Sequence, residues 1–146
     1  MTLRYIYEED LEKLEELDRK CFPPPIRYNR YALQYYLSLP NSIGLVEVND
    51  DTIKGFIIAT ISRDKSANIV TIDVDPFSRR CGLGSKLINV LKSILNELKV
   101  NKITLQVSDD NVVATKFYTK HGFIIKKRLP MYYPSTDGLQ MECRIG

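Results

Sequence analysis

The pattern of apolar residues places a buried strand and a helix at the centre of the chain. Residues 69–74 are largely apolar and β-branched, which predicts a strand inside a sheet. Pro76 must end that strand, because proline has no N–H to donate to a neighbouring strand. Leucine and isoleucine then recur at helical spacing over residues 83–98, which predicts an amphipathic helix. The centre of the chain is therefore predicted to be a strand, a turn and a helix.

The remaining apolar patterns predict further elements on both sides of this unit. Strands are expected over residues 3–7, 43–48, 53–62, 102–108, 123–129 and 139–145, and helices over 8–21, 28–39 and 111–120. The first strands are expected to pair antiparallel, and two strand–helix–strand crossings follow them. This order predicts one α+β domain over residues 1–146, whose mixed, mostly antiparallel sheet has about seven strands flanked by about four helices. The sheet is expected to open after Val74.

Composition limits the classes of function. The chain of 146 residues carries a formal net charge of +3, which is too small to indicate nucleic-acid or membrane binding. No apolar run approaches the ~20 residues of a membrane-spanning helix, and the acidic residues from Glu8 are unlike a signal peptide. Cys21, Cys81 and Cys143 are odd in number and lack metal-ligand spacing. A cytoplasmic protein with reduced thiols and no metal site is expected.

The turn between the central strand and its helix has the composition of an anion site. Gly82 and Gly84 permit a close backbone approach, and the helix that follows directs free N–H groups and a positive dipole end toward the turn. Arg79 and Arg80 add positive charge. A phosphate-bearing ligand is therefore predicted here.

Two known phosphate motifs do not fit this turn. A nucleoside-triphosphate loop ends in Gly-Lys-Ser/Thr, whereas this chain has Gly84-Ser85-Lys86. A dinucleotide fingerprint needs a third glycine where this chain has Leu87. The pattern Arg79-x-x-Gly82-x-Gly84 after Val74-Asp75-Pro76 instead resembles the pyrophosphate loop of the GNAT acetyltransferases.

The resemblance covers essentially the whole chain. Residues 111–123 resemble the second GNAT signature, Asn-x-x-Ala-x-x-x-Tyr-x-x-x-Gly-Phe. Phe22-Pro23 and the segment 132–138 resemble the protein Nα-acetyltransferases, in particular the ribosomal-protein-alanine type. The resemblance implies a GNAT fold, acetyl-CoA as the donor, and a protein N-terminus as the acceptor.

The same resemblance implies roles for individual residues of the donor site. The Val74 N–H would donate a hydrogen bond to the thioester carbonyl as an oxyanion donor, and Tyr118 would be the general acid beside the sulfur. Asn111 would contact the pantetheine, although a helix N-cap is an alternative role for it, and a core position is an alternative for Tyr118. His121 is expected to be a helix-end residue. The implied donor-binding residues are Ile72, Asp73, Val74, Arg79, Arg80, Cys81, Gly82, Leu83, Gly84, Ser85, Asn111 and Tyr118.

The acceptor side departs from that family at one position of chemical importance. Gln106 stands where the ribosomal-type enzymes carry a glutamate base, and glutamine cannot take up a proton. A water held by Gln106 is therefore predicted to carry the proton away. Gln106 also leaves open a module that binds acetyl-CoA without turnover, and a small-molecule amine remains an alternative acceptor. The implied acceptor-binding residues are Phe22, Pro23, Tyr28, Tyr132 and Tyr133.

Overall fold

A seven-stranded mixed sheet forms the centre of the structure. The structure, a computed structural model, describes residues 2–79 and 81–146, with the backbone alone at Pro25. The strands are β1 (Thr2–Tyr5), β2 (Ser42–Asn49), β3 (Thr52–Ile61), β4 (Ser66–Val74), β5 (Lys102–Ser108), β6 (Ile124–Leu129) and β7 (Gly138–Arg144). Their spatial order is β1-β2-β3-β4-β5-β7-β6, and β4 and β5 form the parallel pair. The predicted mixed, mostly antiparallel sheet is confirmed.

Four α-helices pack against the sheet, as predicted. They are α1 (Leu11–Cys21), α2 (Arg30–Ser38), α3 (Leu83–Glu97) and α4 (Val112–Lys120). The first strand ends at Tyr5 instead of Tyr7, because a short 3₁₀ turn over Glu8–Asp10 precedes α1. No helix in the described ranges is long and apolar enough to cross a membrane.

The two faces of the sheet carry separate cores. α3 and α4 cover one face, here called the α3 face, where Leu87, Leu91 and Tyr118 lie in the larger cluster of buried residues. α1 and α2 cover the other, here called the α1 face, where Leu14 and Leu33 lie in a second cluster. Each buried leucine contributes roughly 1.5–3 kcal/mol. The cores fix the helices on both sides of β4.

A bulge in β4 reverses which residues face each core. The register with β3 shifts at Val70, which has no partner of its own. Strand side chains alternate between faces, so without the bulge residues 69 and 73 would share a face. Instead Ile69 lies in the core of the α3 face, whereas Asp73 contacts Asp18 of α1. The bulge therefore turns the end of β4 so that a carboxyl faces α1.

The sheet opens between β4 and β5 earlier than predicted. The parallel pairing runs only from Ser66 with Lys102 to Ile69 with Leu105. The expectation that the strands separate after Val74 was wrong, because pairing ends before the bulge at Val70. The last five residues of β4 therefore border a gap instead of a strand.

Candidate active site

The edge of β4 that faces the gap presents free peptide groups. The N–H of Asp75 donates to the Lys54 carbonyl on β3 at 2.8 Å. Because successive peptide groups along a strand point to opposite sides, those of Val74 and Ile72 face the gap. The Val74 carbonyl accepts hydrogen bonds from Cys21 Sγ and Arg79 Nε, each at 3.3 Å. The Val74 N–H therefore faces the gap.

The two glycines of the turn have different roles. Gly82 has φ +78° and no atom within 4 Å of an added Cβ, so it lets the chain enter α3 beside open space. A Cβ on Gly84 would lie 3.0 Å from Cζ of Phe117, so this glycine lets α4 approach α3. Leu83 is buried and anchors the helix, while Cys81 is exposed. Arg80 lies outside the described residues.

His121 contacts the first turn of α3. Its Nε2 lies 2.9 Å from Ser85 Oγ, and its ring lies 4.7 Å from that of Phe117. Burial, with the charges of Lys92 and Lys120, lowers the pKa of His121. A neutral imidazole is therefore favoured beside the first turn of α3, and His121 lies at the end of α4, as expected.

A cleft of about 370 Å³ lies beside the gap. One wall is the segment after α1, and Phe22 and Pro23 of the predicted acceptor set line it. The opposite wall comes from the end of β5 and the loop before β7, and includes Tyr133 and Asn111. The Asn111 side chain also accepts a hydrogen bond from the Ala114 N–H at 3.1 Å, so it caps α4.

Two residues of the predicted acceptor set do not line the cleft. Tyr28 is half-buried, and its hydroxyl donates to the Val70 carbonyl at 3.4 Å. Tyr132 is half-exposed and packs edge-on against Tyr133, with ring centroids 4.9 Å apart. A Cβ on Gly138 would lie only 3.0 Å from Cβ of Tyr132. Tyr132 therefore supports a wall residue of the cleft, whereas Tyr28 is bonded to the backbone of β4.

Ion pairs hold the loop that carries Tyr133. Arg128 Nη1 lies 2.7 Å from Asp109 Oδ2 and 3.2 Å from Asp137 Oδ2. Asp137 Oδ1 accepts a hydrogen bond from the Met131 N–H at 2.8 Å. Because these groups are exposed, each pair adds little stability. Together they fix the loop to the end of β5.

Tyr118 and Gln106 lie on opposite faces of the sheet, and neither lines the cleft. Tyr118 belongs to the core of the α3 face, and burial, with the charges of Asp73 and Tyr133, raises the pKa of its hydroxyl. Gln106 lies two residues after Thr104 on β5, so the two side chains share a face of the sheet. The Thr104 hydroxyl donates to Asn68 Oδ1 of β4 at 2.9 Å. Gln106 therefore points to the α1 face, the same face as Asp73.

Sequence reasoning missed one group at the site. The main chain of Asp73 was expected to pair with the donor, and no role was given to its side chain, whose carboxyl is fully buried against that of Asp18. Asp18 was not singled out, although a signal was present. Positions 11, 14, 18 and 21 follow the spacing of one helix face, and a carboxyl interrupts an otherwise apolar stripe.

Comparison with known proteins identifies the family. Residues 11–123 match the model of the Acetyltransferase (GNAT) family. An uncharacterized N-acetyltransferase of Methanocaldococcus jannaschii is 29% identical over 134 residues, which cover 91% of this chain and 84% of that protein. The ribosomal protein bS18-alanine N-acetyltransferase of Haemophilus ducreyi is 27% identical over 140 residues, covering 91% of this chain and 89% of that protein.

Solved structures share the fold. Ard1 from Thermoplasma volcanium has a TM-score of 0.91 and 28% identity, covering 99% of this chain and 97% of that one. The PaiA N-acetyltransferase from Thermoplasma acidophilum, solved in complex with coenzyme A, has a TM-score of 0.83 and 21% identity over 99% of each chain. GNAT acetyltransferases use acetyl-CoA. The chain belongs to the GNAT family and is an acyltransferase that transfers an acetyl group to an amine.

Proposed function

We propose that this enzyme transfers the acetyl group of acetyl-CoA to the N-terminal α-amine of a protein. The observation that carries the proposal is the position of the Val74 N–H, which faces a gap beside the cleft between the Phe22 and Tyr133 walls. The names of relatives such as the bS18-alanine enzyme support a protein N-terminus. Three free cysteines support a reducing compartment such as the cytoplasm.

The residues present fit the proposed donor. The Val74 N–H and the peptide groups of Ile72, which face the gap, would pair with the amides of the pantetheine arm as a strand pairs with its neighbour. Open space beside Gly82 and the first N–H groups of α3 would receive the pyrophosphate. The donor would thus lie along the edge that β5 leaves free.

The chemistry requires two protons to leave the acceptor ammonium. The first passes to a water held by Gln106, and the amine then attacks the thioester carbon while the Val74 N–H stabilises the oxyanion. The carbon–sulfur bond breaks, and Tyr118 donates its proton to the departing thiolate. The second proton of the nitrogen returns to Tyr118, which leaves an amide and free CoA.

The proton balance favours an α-amine over a lysine side chain. Deprotonation at the pKa of an α-amine, about 7.7–8.0, is easier by roughly 2.5 pKa units, ~3.4 kcal/mol, than at that of lysine, about 10.4. Because Gln106 cannot take up a proton, the enzyme depends on the lower pKa of an α-amine. Small-molecule amines of low pKa satisfy the same condition and form the alternative acceptor class.

An acceptor array tests the proposal. Peptides that vary in their first three residues are compared with polyamines and aminoglycosides, and release of the CoA thiol gives the rate. We expect at least one peptide class to exceed every small amine in kcat/KM. Faster turnover of polyamines or aminoglycosides than of all peptides would assign the enzyme to small molecules, and binding of acetyl-CoA without turnover would assign it to the sensor class.

A further inference from the structure

Two fully buried carboxyl groups lie against each other behind the active site. Asp18 of α1 and Asp73 of β4 are both 0% exposed, and the carboxyl of each affects the pKa of the other. One oxygen of each has another partner: Asp18 Oδ2 accepts from the Tyr28 N–H, and Asp73 Oδ1 accepts from the Thr71 hydroxyl, each at 2.6 Å. The remaining oxygens, Asp18 Oδ1 and Asp73 Oδ2, have no other donor among the described residues.

Such a contact requires a shared proton. Two carboxylates cannot both ionise in contact within a buried site, because neither has solvent to screen its charge. Within the described residues no cation forms a salt bridge to either carboxyl. Burial is also the largest cause that raises the pKa of each group. The two carboxyls are therefore joined by one proton and carry one negative charge.

The charged and titratable groups around the pair favour one ionised carboxyl. Arg27 and Arg79 act on Asp18 and Asp73 respectively through longer-range attraction, which favours one ionised carboxyl. The other titratable neighbours are the thiol of Cys21 and the hydroxyls of Tyr28 and Tyr118, and the pKa of each is raised by burial. These three groups are neutral at physiological pH.

The pair connects the two halves of the active site. Asp73 precedes Val74, and Cys21, one helical turn after Asp18, donates its hydrogen bond to the Val74 carbonyl. Through the Tyr28 N–H, Asp18 also holds the segment that forms one wall of the cleft. Neither carboxyl lines the cleft. Their position suits holding the acceptor wall against the donor strand, without contact with the reacting atoms.

We propose that Asp18 and Asp73 are positioning residues whose shared proton fixes the acceptor wall, residues 22–28, against the end of β4. The proposal rests on the proposed amine-acceptor cleft and does not depend on which amine binds there. Loss of the proton at high pH places two negative charges in contact. The wall then moves away from β4, and the acceptor KM rises while kcat changes little.

A geometry-preserving substitution separates this role from others. In Asp18→Asn the amide oxygen keeps the Tyr28 N–H, and the amide N–H₂ donates to Asp73 Oδ2 at every pH. We expect the wild-type acceptor KM to rise about tenfold, or ~1.4 kcal/mol, relative to Asp18→Asn between about pH 6 and pH 9. Asp18→Ala removes the connection, so its KM should be raised at all these pH values. The same acceptor is used throughout, so titration of the amine cancels in the comparison.

A readout without any acceptor separates failure of this inference from failure of the proposed function. The ¹⁵N–¹H signal of Tyr28 should shift with pH in the wild-type protein and stay constant in Asp18→Asn over the same range. A Tyr28 signal that titrates alike in both proteins would overturn the shared proton. A fall in kcat with unchanged KM in Asp18→Asn would show that the pair is a proton acceptor in the reaction and would also overturn the positioning role.

Discussion

Cys21 Sγ donates a hydrogen bond to the carbonyl oxygen of Val74 over 3.3 Å. The contact joins the last residue of α1 to the last residue of β4. It holds the end of β4 against α1, beside the cleft that Cys21 lines. This contact and the burial of Cys21 together determine the reactivity of its thiol.

The Cys21 thiol should be unreactive. Burial and the charge of Asp73 raise its pKa to about 11, so only about 10⁻³ of it is thiolate at pH 8. During alkylation at that pH, peptide mass spectrometry should find the exposed Cys81 labelled first. Cys21 should react at least ~100-fold more slowly than Cys81. Equal labelling of the two would contradict a buried, hydrogen-bonded thiol, and Cys81→Ser is the control that isolates the slow site.

Removal of the donor's pyrophosphate should weaken binding. The first turn of α3 and the space beside Gly82 are the proposed site for that group. Acetyl-pantetheine should bind at least ~30-fold more weakly than acetyl-CoA, which corresponds to ~2 kcal/mol at a helix N-terminus. Calorimetry measures both ligands on the unaltered protein. Equal affinities would place the phosphates elsewhere.

A truncated ligand is a better test than a substitution of Gly82. Valine there would be strained at φ +78°, whatever ligand binds. A loss of CoA binding in Gly82→Val would therefore not distinguish lost space from an altered turn.

Tyr118→Phe should reduce kcat by about 10²-fold at unchanged acetyl-CoA affinity, because only the proton donor is lost. The ring contacts with Phe117 and Phe123 remain, so the fold should be retained. Since burial raises the pKa of Tyr118, the wild-type rate should not fall through ionisation of this group below about pH 10. Single-turnover kinetics across that range measures both effects. A loss smaller than about threefold would exclude Tyr118 as the acid.

The predictable part of the structure follows from local patterns. Apolar spacing and proline positions predicted the seven strands and four α-helices of the described residues, with ends displaced by at most three residues. The helix predicted after Gly82 begins at Leu83, whereas the anion site at its start stays a prediction. These features depend on neighbouring residues in the chain, so the sequence contains their signal.

The unpredicted features depend on tertiary geometry. The bulge at Val70 decides that Asp73 faces α1, and no local residue pattern marks that bulge. The early separation of β4 from β5 likewise depends on how two distant segments pair. Tyr28 was expected to line the acceptor site because its segment is rich in aromatic and proline residues, but its hydroxyl donates to the backbone of β4. Side-chain direction near a bulge requires the assembled sheet.

Asp73→Asn should stabilise the protein at high pH. Burial holds the folded-state pKa of Asp73 above its unfolded value, so folding binds a proton more tightly, and stability falls as pH rises through the folded pKa. The variant's Tm should exceed that of wild type at about pH 8 by more than ~3 °C, the shift from ~1 kcal/mol in a domain of this size. The difference in Tm between the two proteins should decrease as pH falls toward the pKa of Asp73 in the unfolded chain.

Asp10→Asn gives a control of opposite sign. Burial acts to raise the pKa of Asp10, but the Arg4 side chain at 2.8 Å and the Tyr7 N–H lower it overall. Its stabilising contribution is therefore present above the unfolded pKa and is lost as pH falls. Asp10→Asn should lower the Tm at neutral pH. A Tm for Asp73→Asn below wild type at every pH would contradict the shared proton.

A peptide with two amines tests directly whether the enzyme acetylates protein N-termini. The peptide carries a free α-amine and an internal lysine, and its matched control has a blocked N-terminus. After reaction with acetyl-CoA, fragmentation mass spectrometry locates the added acetyl group. We expect one acetyl group on the α-amine and none on the blocked peptide. Acetylation of the lysine in both peptides, at equal rates, would contradict an enzyme for protein N-termini.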